Sequence, residues 1–257
     1  MGERLDYAFP HYSDDEGRRL DLFQERLDPL TIRRIERFGI SRDAACLEIG
    51  AGRASITRWL ANRVAPEGRV TATDVQPEVL AAIDMPNVDV LRHDIRTDTF
   101  PAESFDLVHT RAVLMHVPAD TALLQRMVSW LRPGGWLLLE EPDFGMWEAD
   151  SDPLWALHPQ AWHRAFPNGS RSRGRWLLGQ IPRLGLAHVG ADAEVDIVAP
   201  GTPLAEFHRL SMEAIYPAAL AAGALTADQA TALLQRPTQP DFLSFGFVHV
   251  GVWGRKP

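Results

Sequence analysis

A single cysteine, Cys46, stands among 257 residues, so the chain forms no internal disulfide and its composition fits a reducing, cytoplasmic setting. Cys46 lies in an apolar run, where a small core residue is the simplest reading. No stretch reaches the roughly 18–20 apolar residues of a membrane span. The opening MGERLDYAFPHYSDDEGRR is charged throughout and has no apolar segment of a secretory signal. A soluble protein without a membrane partner is expected. Positive charge is not in surplus either. Lys and Arg number 26 against 34 Asp and Glu, a net charge of -8, which argues against a general nucleic-acid-binding surface. The one local exception, Arg164, Arg171, Arg173 and Arg175, reads as a solvated face. Internal repeats and low-complexity tracts are absent.

What is present is ordinary for a globular chain, 46% hydrophobic and 23% charged, enough for one substantial core. The organising stretch is Ala44–Asp74. A short apolar run ends in the turn Glu48-Ile49-Gly50-Ala51-Gly52. A helical pattern follows through Ile56, Trp59, Leu60 and Val64, and after Gly68 a β-rich segment ends on Asp74. This is a nucleotide-binding βαβ unit. Upstream, the spacing predicts one helix from about Asp14 to Leu27 and a second from Pro29 to Phe38, with Gly39 as its stop. Downstream it predicts a helix from Pro77 to about Ile83 and strands over Asn87–Leu91, Ser104–Thr110 and Trp136–Glu140. An amphipathic helix over Thr121–Leu131 precedes the last of these. Strands alternating with helices imply a parallel doubly wound sheet. The later part is expected to hold a tryptophan-rich helix over Asp150–Phe166, a helix over Ser172–Leu184 broken at Pro182, and a strand over His188–Val198. Helices across Ala199–Pro240 and a final β run, Phe242–Trp253, complete the chain.

A glycine turn with Ala54 after it serves NAD, FAD or S-adenosylmethionine equally, because Gly50 and Gly52 let backbone approach a ligand. Asp74 suits a ribose in any of them. Glu48 separates the readings: a carboxylate aimed at the turn repels a pyrophosphate and suits a cationic sulfonium amino acid. Asp94 ends the third strand, where it can accept an adenine amino group while the Ile95 N–H serves a ring nitrogen. Leu131-Arg132-Pro133-Gly134-Gly135-Trp136 turns into the fifth strand.

Taken together, Leu47–Gly52, Asp74, Asp94-Ile95, Phe105–Val108 and Leu131–Gly135 resemble the class I S-adenosylmethionine-dependent methyltransferases, in their small-molecule, ubiquinone-biosynthesis-like form. The resemblance covers roughly residues 40–145. It implies an α/β, Rossmann-like, doubly wound seven-stranded sheet of order 3-2-1-4-5-7-6 with strand seven antiparallel. It also implies one domain: an N-terminal helical cap over 1–39, a donor-binding core over 40–145, helical lid or acceptor insertions over 146–168 and 200–240, and a final strand over 242–257. By the same resemblance, Glu48, Gly50, Ala51 and Gly52 surround the methionine end, Asp74, Val75 and Gln76 the ribose, and Asp94 and Ile95 the adenine. Thr110 and Arg111 close over the methionyl group, with Tyr12 as a further candidate in the cap. Ala54 departs from the third glycine of many members, and the long insertion before the last strand departs from their short hairpin.

Methyl transfer from a sulfonium needs collinear, dry reactants, and a base only when the acceptor carries a proton. His116, in the loop leaving strand four, is the candidate base, with a loop-shaping role as the alternative. Glu140, Glu141 and Asp143 crowd the end of strand five as acceptor ligands, base or turn caps. No metal is expected, because Thr110 and Arg111 occupy the place of a partner carboxylate. His158 and His163, five apart and off the helical metal pair, read as surface or lid residues. Asp143, Trp147, Trp162, Phe207 and Tyr216 are candidate acceptor-binding residues, against simple packing. The expected function is transfer of a methyl group to a small, partly hydrophobic or aromatic acceptor, by O-methylation in secondary or cofactor metabolism. N- or C-methylation, a cyclase that uses the donor structurally, a non-catalytic binding module and, distantly, an NAD(P) oxidoreductase are the alternatives. The last lacks a Tyr-x-x-x-Lys pair.

Overall fold

The structure, a computed structural model, describes residues 14–149, 152–165 and 170–257. Its centre is a seven-stranded sheet. In chain order the strands are β1 (Ala45–Ile49), β2 (Arg69–Asp74), β3 (Val88–Arg92), β4 (Phe105–Arg111), β5 (Leu131–Asp143), β6 (Ala187–Val198) and β7 (Ser244–Arg255). They lie in the order 3-2-1-4-5-7-6, as the resemblance implies. β1 pairs parallel with both β2 and β4, whereas β7 runs antiparallel between β5 and β6. The chain therefore reverses its winding between β1 and β4, the switch point outside which open α/β sheets bind ligands.

The central strands are apolar on both faces, and successive residues feed different cores. Leu47, Ile49, Val108, Leu137 and Leu139 face one helical layer with Leu124, Met127 and Trp130 of α3 (Thr121–Trp130). Cys46, Val70, Leu107 and Leu138 face the other, with Ile56, Leu60 and Val64 of the helix α2 (Ser55–Val64). Burial pushes the Cys46 thiol up to about 12, so the lone cysteine is a packing residue.

The N-terminal segment corrects an expectation. Instead of two helices, one helix of 23 residues, α1 (Asp14–Glu36), carries Pro29 in its interior. Proline removes one backbone donor there, at a cost of roughly 3 kcal/mol in a helix interior. Leu22, Leu27, Leu30 and Ile35 are buried on the same helix, and their packing outweighs that loss. The helix expected from Pro77 is only a 3₁₀ turn, Pro77–Leu80. Beyond β5, short 3₁₀ turns lead to α4 (His158–Ala165), and α5 (Arg173–Gln180) precedes a turn holding Pro182. Helices α6 (Pro203–Ala221) and α7 (Ala227–Gln235) form the insertion between β6 and β7. α1, α4 and α6, with the segment after β5, enclose an aromatic cluster over the sheet's C-terminal edge: Trp147, Trp155, Trp162, Phe207, Phe242 and Phe247. Among the described residues, no helix is long and apolar enough to cross a membrane.

Candidate active site

Every parallel strand delivers a loop to one cavity of about 730 Å³ at the C-terminal edge of the sheet. β1 brings Glu48–Arg53, β2 brings Asp74–Gln76, β3 leads to His93–Ile95, β4 leads to Arg111–Val113 and Met115–Val117, and β5 ends beside Pro142 and Phe144. Helix α1 forms the roof with Glu16, Arg19, Phe23 and Gln24 among others, and α6 adds Phe207, His208 and Ser211.

The polar half of the cavity is built by backbone conformation. Gly50 and Gly52 both adopt positive φ, +67° and +54°, where a side chain is strained. At Gly50 a Cβ would come within 2.2 Å of the Val113 side chain, so this glycine lets the β4 loop close on the β1 turn. Around Gly52 there is open space. Ala54 also sits in the left-handed region at φ 65°, the conformation that a third glycine would take without strain. Glu48, buried at the foot of the turn, accepts a hydrogen bond from Thr57 Oγ1 and lies 3.7 Å from His109. Burial raises its pKa, with His109 and Thr57 opposing. Asp74 is held by the Gly52 N–H at 3.2 Å and the Gln76 N–H at 3.0 Å. Asp94 is clamped by Arg96, which lowers its pKa through hydrogen bonding. Among the described residues, Gln76 Oε1 and both ring nitrogens of His93 have no hydrogen-bond partner, each at a cost of about 1–3 kcal/mol when buried. His93 was not foreseen; it neighbours Asp94 in the sequence and stacks on Phe100 at 4.7 Å.

The other half is aromatic. Met115, Phe144, Trp147, Trp162, Phe207 and Phe247 line it, together with His116, His208 and Ser211. Glu141 underlies this part. Its carboxylate accepts the backbone N–H groups of Val113, Leu114 and Met115 at 2.7–3.0 Å, fixing the turn that carries His116. Burial pushes Glu141 up to about 7, against those three hydrogen bonds.

Several expected site residues lie elsewhere. Thr110 is fully buried and does not line the cavity, since the alternation of β4 turns it into the sheet while Arg111 reaches the opening. Arg111 is tied to Asp28 and Thr31 of α1, fastening the roof. Asp143 binds Arg175 and the Gly145 N–H instead of facing the cavity. Tyr216 points behind the chamber to His158 Nδ1 at 3.0 Å. His158 is fully buried against Trp155, not on the surface. Glu140 is neither solvated nor a cap: Thr31, Arg34 and His109 surround it, and these cationic and hydrogen-bonding partners hold its pKa below the ordinary carboxylate value against its burial. The expected arginine face is split, with Arg173 buried and donating to the Val117 carbonyl at 2.5 Å. Tyr12 lies outside the described residues. Among the described residues, no group of three or more His, Cys, Asp or Glu is placed to hold a metal ion.

Comparison with known proteins agrees with this geometry. Residues 47–139 match the family model described as a methyltransferase domain. A trans-aconitate 2-methyltransferase of Mycobacterium tuberculosis is 34% identical over 108 residues, which are 42% of this chain and 41% of that protein. The chain thus matches less than half the length of this curated relative. A Haemonchus contortus phosphoethanolamine N-methyltransferase 2, solved with phosphomonomethylethanolamine and S-adenosylhomocysteine, superposes with a TM-score of 0.61 at 16% identity, covering 95% of this chain and 58% of that one. The [4+2]-cyclase SpnF superposes with a TM-score of 0.55 at 18% identity, covering 91% and 83%. At those identities the superpositions speak for the fold alone. Strand order, glycine turn and family model agree that residues 47–139 are similar to the methyltransferase domain, set in a sheet of the order 3-2-1-4-5-7-6.

Proposed function

We propose that this chain is an S-adenosylmethionine-dependent methyltransferase that encloses a small, partly hydrophobic or aromatic acceptor and methylates it on oxygen. The observation that carries the reading is the division of one cavity into a polar half with unsatisfied groups and an aromatic half. The polar half fits the donor. Glu48 is a buried carboxylate suited to a cation, Asp74 is oriented by two backbone N–H groups, and Gln76 and His93 offer unused hydrogen-bonding atoms. Glu48, Gly50–Gly52, Asp74–Gln76 and Asp94–Ile95 would hold it, and Arg111–Val113 would close beside it. When bound, S-adenosylmethionine supplies a methyl group on a positively charged sulfur.

The chain's own residues orient the acceptor, exclude water and move one proton. The aromatic wall and α1 keep the chamber dry, which favours displacement over hydrolysis. His116 lines the same cavity on a turn locked by Glu141, and takes the proton of an acceptor hydroxyl. A second reading, a cyclase that keeps the donor as a structural element, draws on the likeness to SpnF. Incubation with S-adenosylmethionine and a panel of phenols and alcohols, followed by mass spectrometry, separates the two. Methyl transfer yields S-adenosylhomocysteine and a product one methylene heavier. Unchanged donor beside an isomerised acceptor contradicts it.

A further inference from the structure

Within the aromatic half, two buried polar groups have nothing to bond. Among the described residues His208 Nε2 and Trp147 Nε1 have no hydrogen-bond partner, both residues line the cavity, and their ring centroids lie 5.3 Å apart in an edge-to-face pair. His208 is 1% exposed and Trp147 likewise 1%. The residues behind them do not relieve this: Trp155 Nε1 and His158 Nε2 are themselves unpartnered among the described residues, and neither residue lines the cavity. Tyr216 hydroxyl is engaged with His158 Nδ1, Trp155 is stacked on the His158 ring, and Phe207 and Phe247 are apolar. Trp147 offers only an N–H donor, while a neutral imidazole offers one donor and one acceptor. Burial lowers the pKa of His208 to about 3, so its ring stays neutral near pH 7.

From this juxtaposition we infer that His208 and Trp147 form a hydrogen-bonding subsite for a neutral hydroxyl on an aromatic acceptor. The hydroxyl oxygen accepts from the Trp147 indole N–H, and its proton is donated to the His208 ring. The surrounding rings, Phe144, Trp162 and Phe207, accommodate the flat apolar body. An anionic group must shed its water against apolar walls, with no cation of His208 to compensate. An ammonium group would face a neutral ring and an indole donor. The subsite therefore favours hydroxylated aromatics over anionic ones. It rests on the methyltransferase reading for its place beside a donor, and its own binding is testable without turnover.

Equilibrium dialysis of 2-naphthol against naphthalene tests the subsite. Burial alone favours naphthalene, the more apolar of the two. The wild-type chain is expected to prefer 2-naphthol by about tenfold, the size of one satisfied hydrogen bond. His208→Phe and Trp147→Phe should each reduce that preference to about twofold or less while naphthalene affinity is kept, and His208→Gln, which retains a neutral donor and acceptor, should restore most of it. Equal binding of the two probes to the wild type, absence of both, or a full preference surviving in His208→Phe overturns the inference. Should His208→Phe fail to fold, a full preference in Trp147→Phe overturns it equally. Calorimetry with S-adenosylmethionine on the same proteins separates the two levels. Loss of donor binding in the wild type contradicts the functional reading, whereas unchanged donor binding beside a lost naphthol preference supports the subsite.

Discussion

A general base and a loop scaffold leave different kinetic marks, and His116 can be assigned by them. If His116 removes the acceptor proton, His116→Asn lowers kcat by about 10²–10⁴-fold and leaves donor affinity unchanged. A raised KM at unchanged kcat identifies a residue that only shapes the pocket. The residues whose placement was legible in the sequence are those set by local pattern. Glu48 and Asp74 end adjacent strands around a glycine turn, and pattern alone brings them together. Gly50 is expected from the sequence to admit a ligand, whereas the neighbour that a Cβ would meet is Val113, 63 positions away, which no local pattern reveals. His208 carried no signal, because a histidine between Phe207 and Leu210 on an apolar helix looks like core.

At the scale of the element, the turn after β4 is held from beneath by β5 through one carboxylate. The folded-state pKa of Glu141, about 7, lies above its ordinary 4.5, so the folded chain retains a proton that the unfolded chain has released between those values. Stability from this group is therefore present below pH 4.5 and is lost as pH rises through 7, by on the order of 3 kcal/mol. Glu141→Gln cannot titrate. Urea midpoints measured for both proteins from pH 4.5 to 7.5 should show wild-type stability, relative to the variant, declining across the window. Parallel curves would contradict the assignment. The strands and the helices α2, α3 and α5 were readable because their apolar spacing continues for several residues. α1 was misread at Pro29: proline is a strong local stop, and the contacts that override it come from distant parts of the chain. Thr110 was misplaced for a related reason, since a strand residue at the right depth still faces whichever side its alternation dictates.

The whole molecule joins a seven-stranded sheet to helices that gather aromatic residues over one edge of it. The βαβ pattern implies a doubly wound parallel sheet, and the family resemblance supplied the strand order that the structure shows. The helical covering of the sheet edge follows from no such rule. Its aromatic residues are compatible with ordinary packing, and Trp147, Trp162, Phe207 and His208 meet only once α1, α4 and α6 have converged. The same convergence buries Arg34 of α1 against Glu140 of β5, tying the roof to the sheet. The central claim, that this assembly binds S-adenosylmethionine in the polar half of its cavity, is tested most directly by calorimetric titration of the donor into the wild-type chain and Asp74→Ala. The account predicts one site per chain, weakened at least about tenfold when the carboxylate is removed. Equal affinity in both proteins, or no binding to the wild type, would contradict it.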